Sequence, residues 1–141
     1  MRSYRGERNA GEEEVTFQLF PENHISGNIH TIFLKQPSSF FYEAIEPTKL
    51  YIIDYKTFSN ISNTPKLGEF SRKFLGKRLV KQAFQRVESF VFLTPEERYL
   101  KYTKDNPNII NRAPDKYIAH ILGITPTSLS RIRKRITSKK R

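Results

Sequence analysis

Residues 114–136 read PDKYIAHILGITPTSLSRIRKRI, and the spacing within this stretch predicts two short helices joined by a tight turn. Ile118, Ala119 and Leu122 fall on one side of the first helix. Gly123 follows where a helix ends in a left-handed residue, a conformation that glycine adopts without steric cost. Thr125 can cap the next helix through its hydroxyl, and Pro126 suits the first helical position because its missing N–H would have no partner there. Leu129, Ile132 and Ile136 then recur at helical spacing and are expected to point inward.

At about 100° of rotation per residue, the opposite face of the second helix carries Thr127, Ser130, Arg131 and Lys134, with Arg133 and Arg135 on its flanks. These side chains suit the edge of a nucleic-acid duplex. Arginine can donate two hydrogen bonds to O6 and N7 of guanine, serine and threonine can bond to base or phosphate, and flanking cations neutralise phosphates. A run of charge alone reads as a solvated helix surface. The combined spacing of Ala119, Gly123, Leu129 and Ile132 favours a helix-turn-helix, with a recognition helix over 126–136. The expected contact residues are Thr125, Thr127, Ser128, Ser130, Arg131, Arg133, Lys134 and Arg135.

The charge distribution points the same way. The chain has 25 Lys and Arg against 14 Asp and Glu, a net charge of +11. Residues 94–141 hold 12 basic and 4 acidic side chains, net +8, whereas residues 1–93 hold 13 and 10, net +3. Such a field attracts polyanions and gives a salt-dependent, sequence-blind affinity. An anionic membrane fits poorly, because the only large apolar residues of the basic helix are the three that a core would use. No aromatic residue follows Tyr117, so this end offers no stacking platform for single strands.

With no cysteine, the chain has no disulfide, thiolate metal site or cysteine nucleophile. No apolar run approaches the length of a membrane span, and the N-terminus lacks the apolar stretch of a signal peptide, so a cytoplasmic protein without a membrane partner is expected. His24 and His30 lack a further ligand at metal spacing and read as surface residues. Nothing resembles a nucleophile with its base, a phosphate loop or a catalytic carboxylate pair; Glu12-Glu13-Glu14 reads as a solvated turn. The chain is therefore read as a binding protein rather than an enzyme, with no cofactor.

Residues 15–58 are the strand-rich part. Val15, Phe17 and Leu19 alternate with Thr16 and Gln18, and Ile29 to Leu34, Phe40 to Ala44 and Leu50 to Ile53 are short apolar runs between turn residues. A turn near Asn9-Ala10-Gly11 suggests a hairpin whose first strand begins at the chain start. Pro65 to Phe92 predicts one long helix. Along it, Gly76, Val80, Ala83, Val87 and Phe90 form a heptad stripe suited to a second copy, while Phe70, Phe74 and Phe84 could pack on the strands. Thr94-Pro95-Glu96-Glu97 is a capping box that starts a third C-terminal helix, carrying Tyr99, Leu100 and Tyr102 and ended by Asn106-Pro107.

Strands, then a long helix, then a helix-turn-helix resembles the Crp-Fnr family of bacterial transcription regulators. The resemblance is most specific at Thr94 to Leu100 and at Lys116-Tyr117-Ile118-Ala119 through Leu122-Gly123-Ile124-Thr125-Pro126-Thr127-Ser128-Leu129-Ser130-Arg131-Ile132-Arg133. It implies an α+β fold with a partial antiparallel β-roll of cyclic-nucleotide-binding type over 1–62, a long dimerisation helix over 63–93, and a C-terminal three-helix helix-turn-helix domain over 94–141 that lacks a C-terminal wing. It further implies a homodimer on double-stranded DNA, with Arg131 reading a base and Thr127 and Ser130 beside it, and RNA polymerase as a further partner.

The family often has Glu where Thr127 stands, so a different half-site is expected. Lys139, Lys140 and Arg141 are expected to replace the phosphate contacts of a wing. Family members that bind cyclic nucleotides hold the phosphate with an Arg-Ser or Arg-Thr pair, whereas this chain offers Pro21 to Ile25 and Gln36-Pro37-Ser38-Ser39 without arginine, so cAMP is not expected as effector. By the same resemblance Met1 to Arg5 matches a strand in the middle of the roll, and an N-terminal truncation is expected. The alternative reading of the charge is a basic RNA- or ribosome-associated protein.

Overall fold

The computed structural model describes residues 1–5, 14–27, 31, 34–71 and 76–139. The fold is mixed α and β, and the chain divides into two compact units, Met1–Thr48 with Pro95–Arg141, and Lys49–Thr94. The first unites the N-terminal strands with the C-terminal helices, which the sequence-based boundaries at 62 and 93 would separate.

Three strands open the first unit: β1 (Arg2–Arg5), β2 (Val15–Leu19) and β3 (Phe41–Glu43), paired antiparallel in the order β2-β1-β3. The hairpin expected at the chain start is therefore present as the β1–β2 pair, while its turn near residues 9–11 lies outside the described residues. Ser3 faces Gln18 but Tyr4 faces Thr16, which leaves Phe17 as an extra residue in β2. That bulge corrects the simple alternation expected for Val15, Phe17 and Leu19. An inserted residue shifts the side-chain phase, so Thr16 and Leu19 are both buried although three residues apart, while Val15 and Phe17 stay 51% and 40% exposed.

From the C-terminal part, three described helices belong to this unit. They are α4 (Pro95–Asp105), α5 (Asp115–Leu122) and α6 (Pro126–Lys139), numbered after Tyr55–Ser62 (α1), Pro65–Ser71 (α2) and Lys77–Phe92 (α3) of the second unit. The core joins Leu19 to Ile109, Ile110, Ala113, Ile118, Ala119, Leu122 and Leu129, with Tyr99, Tyr102 and Tyr117 packed against it. Ile109 and Ile110 have no helical periodicity to reveal them; backbone bonds from both N–H groups to the Asn106 carbonyl fold the 106–113 connection inward.

Helix α5 lies on β2, whose outer edge would otherwise present an unpaired N–H. The Thr16 N–H donates to Nδ1 of His120 at 3.1 Å. Beside it Arg2, 3% exposed, donates to Glu14 at 2.6 Å and to Glu43, and its guanidinium lies 4.2 Å from the ring centres of both Tyr4 and Tyr117. Burial alone would lower the pKa of Arg2, but the bonds to Glu14 and Glu43 outweigh it and raise the pKa above the ordinary arginine value. Glu14 is thus a structural partner, which corrects its reading as part of a solvated acidic turn; Glu12 and Glu13 lie outside the described residues.

In the second unit, Leu50 to Ile53 takes no regular secondary structure and pairs with no strand among the described residues, and Tyr51 and Ile52 are each 89% exposed. The expected strand there is not formed, because β structure requires a hydrogen-bonded neighbour. Helix α1 (Tyr55–Ser62) then starts inside the stretch read as strand-rich. Its signal is Asp54, whose carboxylate accepts from the Thr57 N–H at 2.9 Å and the Thr57 hydroxyl at 2.8 Å. Helices α2 (Pro65–Ser71) and α3 (Lys77–Phe92) occupy the stretch predicted as one long helix, with residues 72–75, and so Phe74, outside the described residues. No residue of α3 is buried: Val80, Phe84, Val87 and Val91 are all more than half exposed along one side. Most of the Ile29 to Leu34 run, His30 included, lies outside the described residues, and its described members, Thr31 and Leu34, are helical rather than in the expected strand; His24 rests against Phe20, ring centres 5.6 Å apart. Among the described residues no helix is long and apolar enough to cross a membrane.

A second guanidinium ties the loops of the first unit together. Arg112 contacts Glu22 at 2.6 Å and grips Glu46 with Nε at 3.1 Å and with Nη2. The Glu22 carboxyl is held below its ordinary pKa by its own backbone N–H and by Arg112, and the Glu46 carboxyl chiefly by Arg112. A lowered folded-state pKa contributes stability that is full above the ordinary glutamate range and is lost as pH falls through the lowered values. Arg112→Gln should therefore lower the urea midpoint at about pH 7, by a margin that shrinks toward about pH 3 and at high salt. A margin constant across that range would mean that Arg112 acts by packing.

Candidate nucleic-acid interface

Helix α5 ends at Leu122, and Gly123 takes φ 65° and ψ 39°, with its N–H bonded back to the helix. The Ile124 N–H reaches the Ala119 carbonyl at 3.0 Å, completing the left-handed C-terminal turn. Arg98 of α4 donates from Nε to the Leu122 carbonyl at 3.0 Å, so the end of α5 is also held from the third helix. Thr125 opens α6: its hydroxyl accepts from the Ser128 N–H at 3.1 Å and lies 3.0 Å from the Ser128 hydroxyl.

The buried face of α6 is set by Leu129, wholly buried, and Ile132, with Ile136 half-buried below them. On the far side Thr127, Ser130, Arg131 and Lys134 are exposed. At about 100° per residue these four lie within an arc of about 100°. Their side chains make no hydrogen bond or ion pair within the described residues. The rows of hydroxyl and cation thus form one continuous solvent-facing strip.

The other four expected contact residues are engaged inside the protein. Thr125 and Ser128 bond to each other in the cap. Arg133 holds both oxygens of Asp115 through Nη1, at 2.7 and 2.8 Å, and its guanidinium lies 5.9 Å from the Tyr99 ring centre. Partial burial would lower the pKa of Arg133; bonds to Asp115 and Tyr99 outweigh it and raise it above the ordinary value. Arg135 donates to Glu96 at 2.9 Å, and that glutamate side chain is only 21% exposed. Asp115 and Glu96 stand in the first turns of α5 and α4, where helix dipoles also favour negative charge. Sequence spacing could not reveal these pairs, since the partners lie 18 and 39 residues away. Lys139 belongs to α6 but its side chain, with Lys140 and Arg141, lies outside the described residues.

No protein-family model matches this chain, and no curated protein or solved structure matches it either.

The direction of α6 depends on the Gly123 turn. A Cβ at positive φ costs about 1–2 kcal/mol, so Gly123→Ala should destabilise the protein by that amount in denaturant unfolding, and Gly123→Asn by less. Equal stability of Gly123→Ala and the parent protein would show that the turn relaxes at no cost.

Proposed function

We propose that the protein is a sequence-specific DNA-binding transcription regulator of the Crp-Fnr type, acting as a homodimer with α6 in the major groove. The observation that carries this reading is the strip of Thr127, Ser130, Arg131 and Lys134, exposed and with no side-chain partner among the described residues, directly opposite the buried Leu129 and Ile132. Its 14-residue helix spans about 21 Å, and a major groove about 12 Å wide accepts a helix of this kind. Arg131 is the base reader, through the O6 and N7 edge of a guanine; Thr127 and Ser130 bond beside it, and Lys134 neutralises a phosphate. RNA polymerase is the further partner that such a regulator would engage.

Arg131→Ala should weaken binding to the preferred site by about 1–3 kcal/mol, some 5- to 150-fold, and relax preference at one base pair. The measurement is selection of bound duplexes from random sequence, followed by salt titrations on duplex DNA and on RNA of equal length. Unchanged discrimination would refute the assigned face, and tighter binding to RNA would favour an RNA- or ribosome-associated protein instead.

The dimer reading rests on α3. Of the expected stripe, Val80, Val87 and Phe90 are exposed; Phe84, expected to pack on the strands, is instead 65% exposed, and with Val91 it extends the same side at steps of four, three and four residues, the spacing by which two identical helices interlock. Val87→Glu should shift the sedimentation profile from dimer to monomer and remove preference for palindromic sites while leaving α-helical content in place. A dimer that persists in this variant would assign the contact elsewhere.

A further inference from the structure

The two flanking arginines of α6 raise a question of charge that the strip itself does not. If every cation of the C-terminal third met a phosphate, binding to unrelated duplexes would be strong, because each neutralised phosphate contributes to affinity whatever the sequence. Arg133 and Arg135 are already occupied by carboxylates, one on each side of the helix. Lone exposed ion pairs are worth about 0–1 kcal/mol and would yield to phosphate readily. These pairs have further contacts: Arg133 holds two carboxylate oxygens and lies against Tyr99, and Arg135, itself 57% exposed, meets a half-buried glutamate. Both acids also sit in helix first turns, where the helix dipole favours a negative charge.

We propose that Asp115 and Glu96 are internal counter-ions that keep Arg133 and Arg135 off the DNA backbone, limiting sequence-blind affinity so that the Thr127–Lys134 strip decides where the protein binds. This inference rests on the duplex-DNA reading above. The two acids are specificity-determining residues that need touch no DNA themselves. Their removal frees a guanidinium on a flank of α6 and gives affinity to every sequence alike.

The test is the slope of log affinity against log salt for the intact protein on a duplex of unrelated sequence. Asp115→Asn and Glu96→Gln should each steepen it by about 0.9 and lower the ratio of specific to unrelated binding. Asp105→Asn is the charge-matched control, since Asp105 pairs with Lys101 on α4 rather than with an arginine of α6. Arg133→Gln alone should leave the slope unchanged, and in the Asp115→Asn background it should cancel the gain. The proposal is overturned if Arg133→Gln alone flattens the slope, if Asp105→Asn matches Asp115→Asn, or if both acid variants lose their folded circular-dichroism signal, which would make the pairs structural locks. A parent protein with salt-dependent duplex binding and unresponsive variants would sink this inference alone. A parent protein that binds no duplex DNA would remove the functional reading and this inference together.

Discussion

A guanidinium taken out of water must be neutralised where it sits, and Arg2 is the residue around which the first unit is arranged. An uncompensated buried charge is far costlier than any single contact can offset. Arg2 therefore requires Glu14 beside β2, Glu43 on β3 and the Thr16 hydroxyl, at 3.3 Å, to converge on it, with Tyr4 and Tyr117 covering its faces. One side chain thus binds all three strands and the first helix of the helical hairpin. The bulge at Phe17 is part of the same arrangement, because it turns Thr16 and Leu19 to the face that α5 covers.

From that junction the path to the candidate interface is short. Tyr117, Ile118, His120 and Leu122 share the eight residues of α5: the first two meet Arg2 and the core, His120 closes the edge of β2, and Leu122 offers its carbonyl to Arg98. A helix held at so many points gives Gly123 a fixed start, and the Thr125 cap gives α6 a fixed direction. The exposed strip owes its geometry to this chain of contacts, since a side chain can read a groove only if its helix is held in place.

Much of the C-terminal third was legible because its signals are local. The helix end at Leu122, the left-handed Gly123, the Thr125 cap and the inward face of Leu129 and Ile132 all depend on residues within one or two turns. The helix Tyr55–Ser62 had an equally local signal in Asp54 and Thr57, overshadowed by the apolar Leu50 to Ile53 run before it. That run illustrates the converse. Its composition suits a strand, yet a strand exists only with a neighbour, and composition does not say whether one is at hand.

Sequence by itself determined the helical hairpin, the two faces of α6 and the concentration of positive charge around them, because helical periodicity and net charge are properties of short stretches. Only the tertiary structure decided which cations stay open. Arg131 and Arg133 are two residues apart and chemically identical, yet one faces solvent while the other holds Asp115. The same holds for Arg2, which reads as one more polar residue near the chain start until Glu14, Glu43 and Tyr117 are brought to it from 12, 41 and 115 positions away. Ion pairs and the phase of a bulged strand depend on what folding brings near, and no local pattern encodes that.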